Sequence, residues 1–124
     1  MSSEKESSFR SEHSLTERTE ESARIVAKYS DRVPVIVEPD LKKGTTIPYI
    51  DKKKYLVPND LSLGQFIFVI RKRLKLPANE AIYIFTSTGI IPTTSQQMID
   101  IYRQHKDQDG FLYLTYSGEN VFGN

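Results

Sequence analysis

The chain has 124 residues, and few of them are placed to do bond-making chemistry. There is no cysteine, which excludes disulfides, thiolate metal sites and a cysteine nucleophile. His13 and His105 are the only histidines, and no serine or carboxylate motif frames either one. His105 stands beside Lys106 at the end of a predicted helix, where a protonated imidazole suits the helix dipole. These residues spell neither a catalytic triad nor a metal or cofactor set, so an enzyme is not expected. Binding chemistry is better represented. Lys52, Lys53 and Lys54 precede Tyr55 in "KKKYLVP", too charged to lie inside a fold, and they mark an exposed strand edge. Arg71, Lys72, Arg73 and Lys75 form a second basic cluster, which read alone is a solvated helix face or a phosphate contact. The chain closes in "YSGENVFGN", with Gly123 ahead of Asn124. Taken by itself, that stretch is a frayed terminus that contains a glycine.

Composition sets the frame. The length suits one domain and one core. A 38% hydrophobic share contains no apolar run near the roughly 20 residues a membrane span needs. "MSSEKESSFR" lacks the apolar centre of a signal peptide, so a cytoplasmic protein is expected. The formal net charge of +1 names no partner. Nucleic acid is not expected, because "FLYLTY" has aromatics without the glycine–aromatic pattern of an RNA-binding sheet.

Patterning along the chain predicts the elements that must position these residues. Residues 1–8 are too polar to bury themselves and are expected to be a mobile extension. Ser14 and Glu17 have capping-box spacing, and Leu15, Ser22, Ile25, Val26 and Tyr29 then form a narrow stripe on a charged helix. "RVPVIVEP" reads as a buried strand in which Pro34 marks the first residues or an edge. "KKKYLVP" is the second strand. In "SLGQFIFVIRKRLKL", Ser62 and Gln65 repeat the cap, and Leu63, Phe66, Ile67, Ile70 and Leu74 recur at helical intervals, which makes this the core helix, stopped by Pro77. "AIYIF" gives a third strand, Thr88-Gly89 a turn, and "IIP" a minor strand. Thr94 and Gln97 are expected to cap a helix carrying Met98, Ile99 and Tyr102. Asp109-Gly110 turns into the last strand, "FLYLTYS". A hairpin, a crossing helix and a final strand able to join the first in parallel describe an α+β fold of the β-grasp type, though other split α+β sheets share the pattern.

"KKKYLVP", "GQFIFVIRKRLKLP", "AIYIF", "IYRQHKDQDGFLYLTYSGEN" and the terminal aromatic-glycine together resemble the GABARAP-like autophagy modifiers, from about Phe9 to the end. These are ubiquitin-like proteins with two extra N-terminal helices. The resemblance implies a helical subdomain over 9–30, a β-grasp core over 31–117 and a flexible conjugation tail over 118–124. The serine-rich start, the connection holding Gly44, Thr45 and Thr46, and "TSTGIIPTT" depart from the family pattern and leave partner preference open.

The resemblance also gives the tail a role. A processing cysteine protease would cut between Gly123 and Asn124, and activating and conjugating enzymes would then join the Gly123 carboxylate to phosphatidylethanolamine. The protein would be cytoplasmic before conjugation and on autophagosomal membranes after it. Cargo receptors carrying aromatic-x-x-aliphatic motifs would dock on the exposed strand. Glu21, Ile25, Pro34, Ile36, Lys54, Leu56 and Phe111 are expected to line the aromatic pocket. Tyr55, Val57, Pro58, Leu61, Phe66 and Val69 are expected to line the aliphatic one. Lys52, Lys54, Arg32 and Arg73 would meet acidic flanks. Ile25, Ile36, Phe66, Val69 and Phe111 also read as plain core residues. The alternative is a ubiquitin-like peptide-binding scaffold that is never conjugated.

Overall fold

The computed structural model describes residues 8–41 and 47–118. Residues 1–7 of the extension expected over 1–8, the connection holding Gly44, Thr45 and Thr46, and the tail residues Phe122, Gly123 and Asn124 lie outside them, whereas Ser8 caps α1 by accepting from the Ser11 amide. The elements run α1 (Phe9–Glu12), α2 (Leu15–Lys28), β1 (Arg32–Pro39), β2 (Lys54–Pro58), α3 (Leu63–Leu74), β3 (Tyr83–Thr86), α4 (Met98–His105) and β4 (Leu112–Ser117). The strands form one mixed sheet in the order β2-β1-β4-β3. Only the β1–β4 pair is parallel, with Val35 opposite Leu112. β2 pairs antiparallel with β1, and β3 with β4.

Alternation divides the sheet into two faces. Val33, Val35 and Val37 of β1, Tyr55 and Val57 of β2, and Leu112, Leu114 and Tyr116 of β4 join one core with Leu63, Phe66, Ile70 and Leu74 of α3 and Met98 and Ile101 of α4. The opposite face holds a smaller cluster of Ile36, Phe111 and Tyr113, covered by Phe9 of α1 and Ile25 of α2.

Both helices read from capping boxes start where the spacing placed them. Ser14 accepts from the Glu17 amide, and Ser62 accepts from the Gln65 amide, each with the reciprocal bond present. α3 ends ahead of Pro77, with Lys75 in the left-handed region at φ 58° and the Leu76 amide closing onto the Arg71 carbonyl. The Thr94–Gln97 cap is not formed. α4 begins later, at Met98, because its free amides find backbone carbonyls instead: Met98 donates to Leu61 at 2.8 Å and Ile99 to Asn59 at 3.0 Å. "IIP" is not a strand either. The Thr86 amide bonds the Ile90 carbonyl at 2.8 Å across a turn with Gly89 at φ 89°, which uses the bonds a strand would need.

Pro34 corrects the edge reading. It lies in an interior strand, but at its third residue, before the parallel ladder opens at Val35. Val37 bonds Lys53 on the β2 side, so odd-numbered β1 residues face β2 and the nitrogen of Pro34 faces the β4 side. No ladder bond is lost there.

α2 has only a thin apolar face. Ser22 is buried and Ile25 half-buried, whereas Leu15, Val26 and Tyr29 are exposed, so the predicted stripe is narrower than read. Polar bonds dock the helix instead. Asp109, 1% exposed, takes Arg18 Nη1 at 2.7 Å, the Tyr113 hydroxyl at 2.6 Å and the Phe111 amide at 2.8 Å. Its backbone carbonyl accepts the Ser22 hydroxyl. Arg10 of α1 adds an ion pair to Asp107 at 2.7 Å and lies 3.9 Å over the Tyr113 ring.

Gly110 makes this docking possible. It sits at φ 93°, and an added Cβ would overlap the Ser22 hydroxyl oxygen and meet Ser22 Cβ at 3.0 Å. Gly110→Ala is therefore expected to lower unfolding stability by roughly 1–3 kcal/mol, read by denaturant titration. Burial, reinforced by the bond to Asp109, pushes the Tyr113 hydroxyl up to about 12, and burial pushes Tyr116 up to about 12. Values raised in the folded state contribute stability that is complete below the unfolded value of about 10 and lost as pH rises through the folded one. The denaturation midpoint is expected to fall over that alkaline window, and Tyr113→Phe to shallow the fall.

Candidate functional site

β2 is bonded on one side only. Val37 donates to Lys53 at 2.8 Å and Asn59 to Asp31 at 2.9 Å, so odd-numbered residues of this segment turn their backbone groups toward β1. The N–H and C=O of Lys54 and Leu56 therefore point out of the sheet. Arg32 Nη1 reaches the Leu56 carbonyl at 3.1 Å and covers one of these outward groups. Pro58, which has no N–H, ends the edge.

One wall of the edge is the α2 side. Register sets Pro34 opposite Leu56 and Ile36 opposite Lys54, with all four side chains on that face. Lys54 forms an ion pair with Glu21 of α2, and Ile25 packs on the cluster holding Ile36 and Phe111. The structure thus brings together the seven residues of the expected aromatic pocket. They are not equivalent, however. Pro34, Ile36 and Phe111 are buried, because β1 and β4 are interior strands roofed by the N-terminal helices; Phe9 meets Phe111 edge-on at 5.2 Å. These three form a floor, and Leu56, 36% exposed, with Lys54, Glu21 and Ile25 forms the accessible rim.

The other wall is α3, where the expectation needs more correction. Tyr55, Val57 and Phe66 are 7%, 2% and 2% exposed and belong to the main core, with the Tyr55 ring edge-on to Phe66 at 5.5 Å. The alternation that exposes Leu56 requires this, so these three do not form open lining. Leu61 and Pro58 are half-buried, and Val69, 43% exposed, is the most accessible apolar residue of the expected six.

Charge around the groove is largely spoken for. Arg73 Nε donates to Asp51 Oδ1 at 2.8 Å, with a second contact at 3.4 Å, and hydrogen bonding to Arg73 holds the Asp51 carboxyl below its usual range. Lys52 is exposed, with Nζ 5.1 Å from the centre of the Tyr55 ring. The Tyr55 hydroxyl is buried with no hydrogen-bond partner; burial raises its pKa, Arg73 opposes the rise and Asp51 adds to it. Arg71 turns away to the Glu80 and Pro77 carbonyls, each at 2.8 Å.

Two contributors escaped the sequence reading. Asp51 directly precedes the lysine run, but nothing local ties it to Arg73. Arg18 and Asp109 are 91 positions apart, and no periodicity joins them. Gly123 and Asn124 lie outside the described residues. Among the described residues no His, Asp and Glu cluster could hold a metal ion, and no helix is long and apolar enough to cross a membrane.

Comparison with known proteins extends over almost the whole chain. The family model for "Autophagy protein Atg8 ubiquitin like" matches residues 17–123. Autophagy-related protein 8A of Oryza sativa subsp. indica is 58% identical over 117 residues, which span 94% of this chain and 96% of that protein. Autophagy-related protein 8 of Mycosarcoma maydis is 56% identical over 117 residues, spanning 94% and 97%. The crystal structure of Trypanosoma brucei ATG8 superposes with a TM-score of 0.82 at 39% identity, covering 90% of this chain and 93% of that one.

The two walls predict opposite responses to truncation. Phe66→Ala is expected to cost about 3–5 kcal/mol of stability, as for a core phenylalanine, and Leu56→Ala less than about 1 kcal/mol. Denaturant midpoints of the two variants measure the difference.

Proposed function

The chain belongs to the Atg8 family of ubiquitin-like autophagy proteins, and from that premise we propose that it is conjugated to a membrane lipid through Gly123 and recruits peptides along β2. The carrying observation for recruitment is the outward edge of Lys54 and Leu56 between two apolar walls. In an extended peptide, residues three apart point to opposite sides. An aromatic-x-x-aliphatic segment added to β2 as a strand would set its aromatic on the Leu56 and Ile25 side and its aliphatic residue toward Val69. Burying those two side chains contributes roughly 3–6 kcal/mol gross. Association costs about 4 kcal/mol or more, so strand bonds and charge supply the rest and binding is modest. Such reversibility suits recruitment of cargo receptors.

For conjugation, support comes from the family match, which extends through Gly123. A cysteine protease would hydrolyse the Gly123–Asn124 amide. The freed carboxylate would be adenylated with loss of pyrophosphate, then passed to the thiols of an activating and a conjugating enzyme. The amine of phosphatidylethanolamine would displace the last thiol to form an amide. The chain has no cysteine, so both thioesters use partner sulfurs. Glycine suits the transfer, since the missing Cβ leaves its carbonyl open to attack. Two acyl chains, each buried methylene contributing about 0.8 kcal/mol, then give stable anchoring. In this reading the chain is the transferred group and not an enzyme. It is cytoplasmic before conjugation and on the autophagosomal membrane after it.

Leu56→Ala is expected to weaken binding of an aromatic-x-x-aliphatic peptide by about 1–2 kcal/mol in titration calorimetry while the fold is retained. Unchanged affinity would remove the groove assignment. Gly123→Ala is expected to abolish attachment to phosphatidylethanolamine liposomes in a reaction with the family's protease, activating and conjugating enzymes and ATP, while peptide binding matches the parent. Undiminished attachment would mean that Gly123 is not the reactive residue. No attachment of the parent, in a reaction that lipidates a family control, would favour an unconjugated peptide-binding scaffold.

A further inference from the structure

β4 stops at Ser117, and five residues lead from Gly118 to Gly123. Five residues span at most about 18 Å when fully extended. Once Gly123 is joined to a lipid, the end of the sheet at which β4 stops is therefore held next to the bilayer. What that end exposes then meets the headgroups.

This end is built around Tyr116. Its hydroxyl donates to the Pro48 carbonyl and accepts from the Ile50 amide, each at 2.8 Å, and its own carbonyl accepts from the Asp40 amide at 2.9 Å. Ile47 and Ile50 are buried in the main core, so the segment between them is fixed while Tyr49 stays 50% exposed. Leu41, 41% exposed, follows Asp40. α3 brings charge to the same end. It starts shortly after Pro58, which pairs with the first residue of β1, and its 12 residues carry it about 18 Å along the sheet to the segment leading into β2, where Arg73 holds Asp51. Lys72 and Lys75 are thereby exposed at this end together with Lys52. Arg73 matches Asp51, and Lys53 matches Glu38 at 3.4 Å. Asp40 and Glu80 are outnumbered by the three exposed lysines and Arg71, so the balance of charge is positive.

We infer that this end of the sheet is a membrane-contacting face: Tyr49 and Leu41 enter the interfacial layer of the bilayer, and Lys52, Lys72 and Lys75 favour anionic headgroups. The inference rests on the conjugation reading above and names the surface that conjugation turns toward the lipid. A tyrosine suits that layer because its ring is apolar and its hydroxyl stays wet. Lysines beside an anionic leaflet are attracted within a Debye length of it. A short tether supplies a high effective concentration, so a contact too weak to hold a free chain suffices for a conjugated one. The basic cluster at the end of α3, a solvated face or a phosphate contact when read alone, thereby gains a partner.

The chain has no cysteine and no tryptophan, so one of each can be placed without background. Full-length Gly123→Cys is coupled through its thiol to maleimide-phosphatidylethanolamine in phosphatidylcholine vesicles made with or without phosphatidylserine. In that chain Tyr49→Trp reports the inferred face. Ile90→Trp, equally exposed at 50% in the turn at the opposite end of β3, reports a surface away from it. Tyr49→Trp fluorescence is expected to shift to the blue and to be quenched by brominated phosphatidylcholine, most strongly with phosphatidylserine at low salt, and Ile90→Trp to do neither. Lys72→Gln and Lys75→Gln should each weaken the contact with phosphatidylserine vesicles about 5-fold, the attraction of one basic residue at an anionic surface. Equal quenching of the two tryptophans, or none at position 49, would overturn the face. Quenching at position 49 that ignores both phosphatidylserine and the lysines would overturn the headgroup preference. Because the link is chemical, these results are separate from enzymatic attachment, whose failure would remove the conjugation reading and with it the setting of this face.

Discussion

A single buried carboxylate holds the architecture of the site together. Asp109 is almost fully enclosed, and an unpaired charge there would be strongly destabilising. It is satisfied by Arg18 from α2, the Tyr113 hydroxyl from β4 and the Phe111 amide, while its own carbonyl takes Ser22. Few apolar side chains of α2 touch the sheet, so this cluster does most of the docking. Glu21 and Ile25 sit on the same helix, one turn apart, and the wall they form beside β2 exists because Arg18 and Ser22 fix that helix to Asp109. Tyr113, held protonated well past neutral pH, serves as a dependable donor in that cluster.

The sheet order supplies the other half of the site. With β1 and β4 interior, their two faces are buried under α3 with α4 and under α1 with α2. β2 is left as an edge, and an uncovered edge is a hazard unless it is managed. Here the flanking lysines, the Arg32 cover on Leu56 and the proline at position 58 limit pairing to a short stretch. The period of two then assigns Tyr55 and Val57 to the core and Leu56 to the rim, so the same few residues both anchor the strand and present it.

Much of this was legible in the sequence, and the exceptions are physically instructive. Two serine–glutamate or serine–glutamine spacings located α2 and α3, since a capping box is local and its partners lie three residues apart. The same spacing at Thr94 makes no cap: α4 starts only at Met98, and its first amides bond the carbonyls of Leu61 and Asn59, distant in sequence. The quoted blocks carried the family resemblance, which the relatives bear out over more than nine-tenths of the chain. Burial was harder to read. A carried-over pocket names side chains without depth, and only strand alternation and helical phase separate the buried Ile36, Phe111 and Phe66 from the exposed Leu56 and Val69. The Asp109 cluster and the Asp51–Arg73 pair join residues far apart in the chain, so periodicity and spacing had nothing to register.

The account depends on β2 accepting a strand, and amide hydrogen exchange resolved by residue tests that most directly. In the free protein, Tyr55 and Val57 amides, bonded to β1, should exchange slowly, and Lys54 and Leu56 amides quickly. Saturation with an aromatic-x-x-aliphatic peptide should bring Leu56 protection close to that of Val57. A bound peptide that leaves the Lys54 and Leu56 amides exchanging as before would show that recognition occurs elsewhere and contradict strand addition at this edge.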